Sequence, residues 1–158
     1  MQLLSKLLKQ SDLVLLKVSP LLDINWALNQ LEKVSRIHII SIDNDCKELL
    51  FEITGKKTEE PELLAINFAR NSIQEFRFTR KEDAVAKTEY SMPLQFLYEP
   101  NASIMKSGAF KLIGRRYNLK SLHSNTHLYT PNKLRDDFPE RMFRIVSSEP
   151  FDWKKLKA

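Results

Sequence analysis

Only three glycines occur in these 158 residues, Gly55, Gly108 and Gly114. A strand-to-helix turn that brings backbone amides up to a cofactor's phosphate or ribose needs glycines in close succession, and these three are too dispersed to build one. The chain also has no Gly-x-Ser-x-Gly elbow, no phosphate-loop lysine motif and no His-Glu-x-x-His pair. Cys46 is the single cysteine, which excludes an intramolecular disulfide and a cysteine-based metal cluster. Its setting in residues 45–51 reads as the start of a strand, so it is a structural thiol rather than a nucleophile, with Lys47 the neighbour able to lower its pKa if both are exposed. No apolar run approaches the ~20 residues of a membrane-spanning helix. Residues 1–9 interrupt their leucines with lysines and so lack the continuous apolar stretch of a signal peptide. These absences predict a cytoplasmic chain with no membrane association, catalytically incomplete on its own.

What is present is a globular composition. Hydrophobic residues make up 42% of the chain and charged residues 28%, which excludes intrinsic disorder and allows one domain or two small modules. Lysine and arginine number 25 against 20 acidic residues, a formal charge of +5 that admits a nucleic-acid partner without requiring one. The placement of the charge has to decide.

Residues 12–18 are a nearly continuous apolar run, the pattern of a strand buried on both faces as in a parallel sheet. Ser19-Pro20 ends it, and Asp23 is placed to cap a helix whose apolar face is Ile24, Ala27, Leu28 and Leu31. Residues 36–42 and 46–53 read as strands joined by an Asp43-Asn44-Asp45 turn. Strand, helix, strand, hairpin strand is the order of the closing edge of an open α/β sheet. A charged, turn-rich stretch over 55–61 marks a first boundary. Beyond it, residues 63–69 and 73–79 predict a hairpin around Arg70-Asn71-Ser72, residues 81–89 a charged connector or short helix, and residues 94–98 another strand. Pro100-Asn101 opens a helix capped by Asn101 and ending near Gly114, with Ile104, Met105, Gly108, Ala109, Leu112 and Ile113 on its buried face. Residues 123–129 form a polar loop into a short strand, residues 131–140 are irregular, residues 142–146 are a last strand, and residues 151–157 start a helix.

Lys106, Lys111, Arg115 and Arg116, extended by Lys120, are the candidate RNA-binding residues, with Tyr98, Tyr117 and Tyr129 near them in sequence. Cations attract phosphates, and exposed aromatics stack on unpaired bases. A solvated helix face above buried tyrosines explains the same pattern, and such charged faces are common. Lys17, Ser19 and Asp23, with Pro20, stand at the carboxyl end of the first strand, where open α/β sheets place ligands. A strand stop plus a helix cap accounts for all of these except Lys17. His123 and His127 are four apart, but Ser124-Asn125-Thr126 favours a loop and no third ligand is evident, so no metal site is predicted. The acidic pairs Glu59-Glu60 and Asp136-Asp137 read as solvated connectors rather than a general acid and base.

Residues 17–23 (Lys-Val-Ser-Pro-Leu-Leu-Asp) and 46–50 (Cys-Lys-Glu-Leu-Leu) resemble the last part of a class I methyltransferase-like domain, in the bacterial proteins that carry a C-terminal THUMP-like domain. Residues 98–101, 106–110 and 127–129 resemble the small ferredoxin-like module that joins the two, and residues 138–143 resemble the approach to the THUMP-like domain. The resemblance implies an α/β plus α+β fold. The closing strands of a Rossmann-like methyltransferase sheet would occupy residues 1–57, a β-hairpin and charged connector 58–92, a ferredoxin-like module 93–137, and the start of a truncated THUMP-like domain 138–158. In that family the glycine-rich S-adenosylmethionine motif and an Asp-Pro-Pro-type catalytic motif precede the segment that starts here. Neither is in this sequence, so no catalytic or cofactor-binding residue carries over. The expectation is a non-catalytic C-terminal portion of an RNA methyltransferase-like protein, truncated at both ends. It would bind no cofactor alone, although S-adenosylmethionine is implied for the full-length family. Its expected partners are RNA and either the missing N-terminal methyltransferase portion or a second copy. The alternative is an interaction module that docks or self-associates without nucleic acid.

Overall fold

In a computed structural model that describes residues 2–56 and 58–152, the chain opens with α1 (Gln2–Leu7), β1 (Leu13–Val18), α2 (Ile24–Gln30), β2 (Val34–Ile42) and β3 (Asp45–Thr54). Asp23 starts α2 as its spacing predicts, its carboxylate accepting the Trp26 N–H at 2.7 Å. Asp43 and Asn44 both adopt positive φ, the two-residue geometry whose twist matches that of antiparallel strands, and so fold β2 back on β3. The apolar run of β1 is not a doubly buried strand. It is an edge strand, antiparallel to β3, with Leu13, Leu15 and Lys17 left exposed on one face. A run of leucines satisfies either arrangement, and only the pairing distinguishes them.

The turn-rich stretch before residue 62 also departs from expectation, because it does not end the sheet. β4 (Glu62–Ala69) runs parallel to β2, and β5 (Ser72–Phe78) pairs antiparallel with β4, giving one five-stranded sheet in the order β1-β3-β2-β4-β5. The reason is the shared alternation. Leu63 and Ala65 fall opposite Ile37 and Ile39, so the hairpin extends the same buried face. Ile37, Ile39, Leu49, Phe51, Ile53 and Leu63 on that face are fully buried. Each contributes about 1.5–3 kcal/mol relative to exposure.

After α3 (Arg80–Val85) the chain forms β6 (Phe96–Pro100), α4 (Ala102–Ser107), α5 (Phe110–Arg116), β7 (Lys120–Ser121), β8 (Tyr129–Thr130) and β9 (Glu140–Arg144). The four strands make a second sheet in the order β7-β8-β6-β9, with β9 antiparallel to β6 along its length. The single helix expected after Asn101 is two. Gly108, at φ 80°, terminates α4 in the left-handed conformation that glycine adopts without strain. Gly114 lies inside α5 instead of ending it; a Cβ there would meet the Tyr129 ring at 3.3 Å, so this glycine allows close packing. The helix expected from residue 151 lies, beyond Asp152, outside the described residues. Among the described residues no helix is long and apolar enough to cross a membrane.

The two sheets meet through α4, which packs on β2, β3 and β4. The joint is polar and closed. The Asn101 Oδ1 accepts the Ile104 N–H at 3.0 Å, and the Asn101 amide donates to Gln74 Oε1 at 3.0 Å. Asn67 donates to the same Gln74 oxygen at 2.9 Å and accepts the Asn44 N–H at 3.1 Å, while Asn44 Oδ1 accepts the Ala102 N–H at 2.6 Å. Asn67 and Asn101 are almost completely buried. Asn101→Ala removes the helix cap and orphans buried groups around it, a loss of about 2–3 kcal/mol. Asn101→Ser keeps a cap oxygen and is expected to recover part of that loss, which urea unfolding of the two variants will measure.

Candidate nucleic-acid interface

A cleft of about 830 Å³ opens where the carboxyl end of α5, β7, β8, the segment after α3 and the loop after β8 converge. Three tertiary contacts hold its walls. The first is a cap supplied from outside the helix. Ala109 offers α5 no side-chain cap, and the Asp83 carboxylate of α3 instead accepts the Lys111 and Leu112 N–H groups at 2.9 and 2.8 Å. α3 is itself set by a capping box between Thr79 and Glu82. The second is Tyr129, buried, whose hydroxyl donates to the Phe110 carbonyl at 2.7 Å and whose pKa burial raises. The third is the Tyr98 hydroxyl, which accepts the Arg135 N–H at 2.6 Å and ties down the loop after β8.

The cleft is basic. Lys87, Arg115, Lys120, Lys133 and Arg135 line it against one carboxylate, Glu89. Glu89 pairs with Lys120 at 3.6 Å, and Asp137 holds Arg135 by a two-point contact at 3.1 Å that raises the guanidinium pKa and lowers that of the carboxyl. Lys87, Arg115 and Lys133 are exposed and make no ion pair among the described residues. Leu94, Leu119 and Pro131 supply apolar wall beneath these charges, and Asn118 and Asn132 supply polar groups.

The residues singled out from sequence are dispersed by this geometry. Arg115 alone of the four lines the cleft. Arg116, one residue on, turns to the other side of α5. Its guanidinium lies 4.5 Å from the centre of the Phe76 ring, donates to the Arg77 carbonyl at 2.6 Å and reaches Glu82 at 3.5 Å. Arg116 is therefore a packing residue in this fold. Lys111 is exposed at the start of α5, and Lys106 is half-buried on α4 within electrostatic reach of Cys46. Tyr98 and Tyr129 are core residues and Tyr117 packs edge-on against Phe138, so none offers an open stacking face. Lys87 and Lys133, which the sequence reading passed over, lie far from α5 along the chain, and only the fold brings them to it.

Lys17, Ser19 and Asp23 each have a partner within the fold. Lys17 pairs with Glu48 at 2.6 Å, the Ser19 hydroxyl accepts the Leu21 N–H at 3.2 Å, and Asp23 caps α2. Ser19 and Asp23 are thus used by a turn and a helix start, and the Lys17–Glu48 pair lies at the surface. His127 stacks on Phe110 at 3.6 Å, and His123 accepts the Asn125 N–H at 3.1 Å. Glu60 accepts the Lys81 N–H at 2.5 Å, which gives one of the acidic pairs a structural use.

Residues 96–139, from β6 to the approach to β9, match a family described as a ferredoxin-like domain. The chain carries a ferredoxin-like module. Over 99% of its length it also superimposes, with a TM-score of 0.93 and 31% identity, on the crystal structure of a putative methyltransferase from Porphyromonas gingivalis W83. The chain spans 40% of the length of that protein, to which it is related in sequence as well as in fold. No curated protein matches the chain. The family match stops just before β9, although β9 completes the sheet of the ferredoxin-like module by pairing with β6.

Cys46 stands outside the ferredoxin-like module, where burial pushes its thiol pKa up and only partly yields to the opposing effect of Lys106. Lys47 is engaged with Asp45 instead. A raised pKa leaves less thiolate at any pH near neutrality. Disulfide-exchange labelling at pH 8 is therefore expected to be slower for Cys46 in the folded chain than for the same thiol after denaturation.

Proposed function

We propose that this chain is the non-catalytic C-terminal portion of an S-adenosylmethionine-dependent, class I methyltransferase-like protein that modifies RNA, leading toward a THUMP-like domain. In this reading the five-stranded sheet docks on the catalytic portion, and the ferredoxin-like module turns its basic cleft to RNA. The observation that carries the reading is the unfinished first sheet. β1 is bonded to a strand on one side only, and Ile42, Phe68 and Ile73 form one register row across β2, β4 and β5 that stays 49%, 41% and 62% exposed. An open strand edge and a contiguous apolar row are features that stable proteins pair or cover. The related Porphyromonas protein is much longer than the shared portion, which supports a cover within the same longer polypeptide. On the same face but toward the opposite end of these strands, Arg36 bridges Glu52 and Glu62 at 3.6 and 2.6 Å, and His38 meets Glu52 at 2.6 Å, a set of charges suited to fixing the register of a docked element.

Titration of the chain with S-adenosylmethionine in a calorimeter is expected to give no binding heat, whereas micromolar binding overturns the non-catalytic assignment. In sedimentation at tens of micromolar, the isolated chain is expected to self-associate through the exposed row, and Phe68→Lys with Ile73→Lys to restore the monomer. A monomer that also binds no apolar dye removes the docking surface from the proposal.

A further inference from the structure

We infer that the cleft of the ferredoxin-like module is the RNA site and that it takes single-stranded RNA, about two nucleotides at a time; this rests on the RNA reading proposed above. Lys87, Arg115 and Lys133, without an ion pair among the described residues, come from three separate segments and surround one opening, a convergence that a solvated helix face does not require. Three positive groups around one cleft match a run of phosphates better than one isolated anion.

The choice of single strand over duplex follows from what lies under the charges. The exposed Val85 and half-buried Leu94, backed by the buried Leu119 and Pro131, form an apolar wall, and Asn118 and Asn132 stand beside it with amide donors and acceptors. A base reaches such a wall and such amides only when it is unpaired. A duplex keeps its bases stacked inside and offers its phosphates on a convex surface, which would leave the cleft empty. The volume of about 830 Å³ is that of a small-molecule pocket at the upper end of the usual range, which suits a short oligonucleotide segment and not a helix. Asn118 holds a positive φ, which places it at the tight turn between α5 and β7 and so at the edge of the opening. Because the exposed surface of the cleft offers wall and amides and no aromatic platform, recognition is expected to depend on strandedness more than on base sequence.

Fluorescence anisotropy of a labelled eight-nucleotide oligouridylate with the 158-residue chain tests this directly. The wild type is expected to bind with a log–log salt slope of about −1.4 to −2.1, the range for two to three neutralised phosphates on a single strand. Lys87→Ala, Arg115→Ala and Lys133→Ala together are expected to weaken binding at least about tenfold and flatten the slope. A control with the same charge loss elsewhere (Lys9→Ala, Lys56→Ala and Arg70→Ala) is expected to change affinity by less than about threefold. Thr88→Trp, which fills the cleft without altering charge, is expected to weaken binding as the cleft triple does, and circular dichroism melting of each variant will establish that it is folded. If the triple and Thr88→Trp bind as the control does, the cleft is not the site, while the RNA reading survives. Equal affinity for an RNA duplex of the same length overturns single-strand selectivity. A wild type that binds no RNA at low salt overturns both the cleft and the RNA reading.

Discussion

The relay of side-chain amides from Asn44 through Asn67 and Gln74 to Asn101 is the constraint through which the two sheets take a single arrangement. It starts in the β2–β3 turn, crosses β4 and β5, and ends on the first turn of α4. The Gln74 oxygen accepts from two amides at once, and Asn44 contributes both its backbone N–H and its side-chain oxygen. In a buried setting such groups cost about 1–3 kcal/mol each when left unmatched. The relay thereby admits one seating of α4 on the sheet and penalises displaced ones. An apolar joint of the same area would bind as well but would tolerate sliding. Since Gly108 turns the chain directly from α4 into α5, the seating of α4 also sets the direction of α5, and with it one wall of the cleft.

α3 carries the same logic to the other wall. Its capping box fixes the helix, Asp83 reaches across to cap α5, and Lys87 directly follows the C-cap residue Ala86. A stretch that looks like a charged connector is thus what spaces the cleft. Arg115 and Arg116 show how narrow the geometry is. Successive residues on a helix are turned by about 100°. One arginine therefore faces the cleft, while the next lies over Phe76 and closes the α3–α5 contact.

Local chemistry was legible in the sequence wherever a few adjacent residues decide the outcome. Asp23 and Asn101 cap the helices they were expected to cap, and the turns at Asp43-Asn44 and Arg70-Asn71 join the strands on either side. What escaped was decided by distant partners. The position of β1 at an edge and the parallel pairing of β2 with β4 depend on register between segments, which no window of one segment contains. The break at Gly108 was masked because Ile104, Ala109, Leu112 and Ile113 continue a four-residue apolar rhythm across it, so the pattern of one helix outlasted the helix. For the candidate site, clustering along the chain stood in for clustering in space. It found Arg115 and Lys120 and missed Lys87 and Lys133, while Tyr98 and Tyr129 follow the buried alternative that the same pattern allowed.

The open row of Ile42, Phe68 and Ile73 and the basic cleft lie on opposite sides of the first sheet. α4 and the ferredoxin-like module cover the face that bears Phe51 and Leu63, and the row occupies the other face in the alternation of the same strands. A partner laid on the row therefore does not occlude the cleft. The two surfaces also differ in their dependence on salt. Apolar docking is insensitive to ionic strength or strengthened by it, whereas phosphate contacts weaken as counterions compete. In the reading proposed above, a permanently held catalytic portion and a transiently held nucleic acid would need that separation, and the division of apolar and basic surface between the two sides of one sheet is consistent with it.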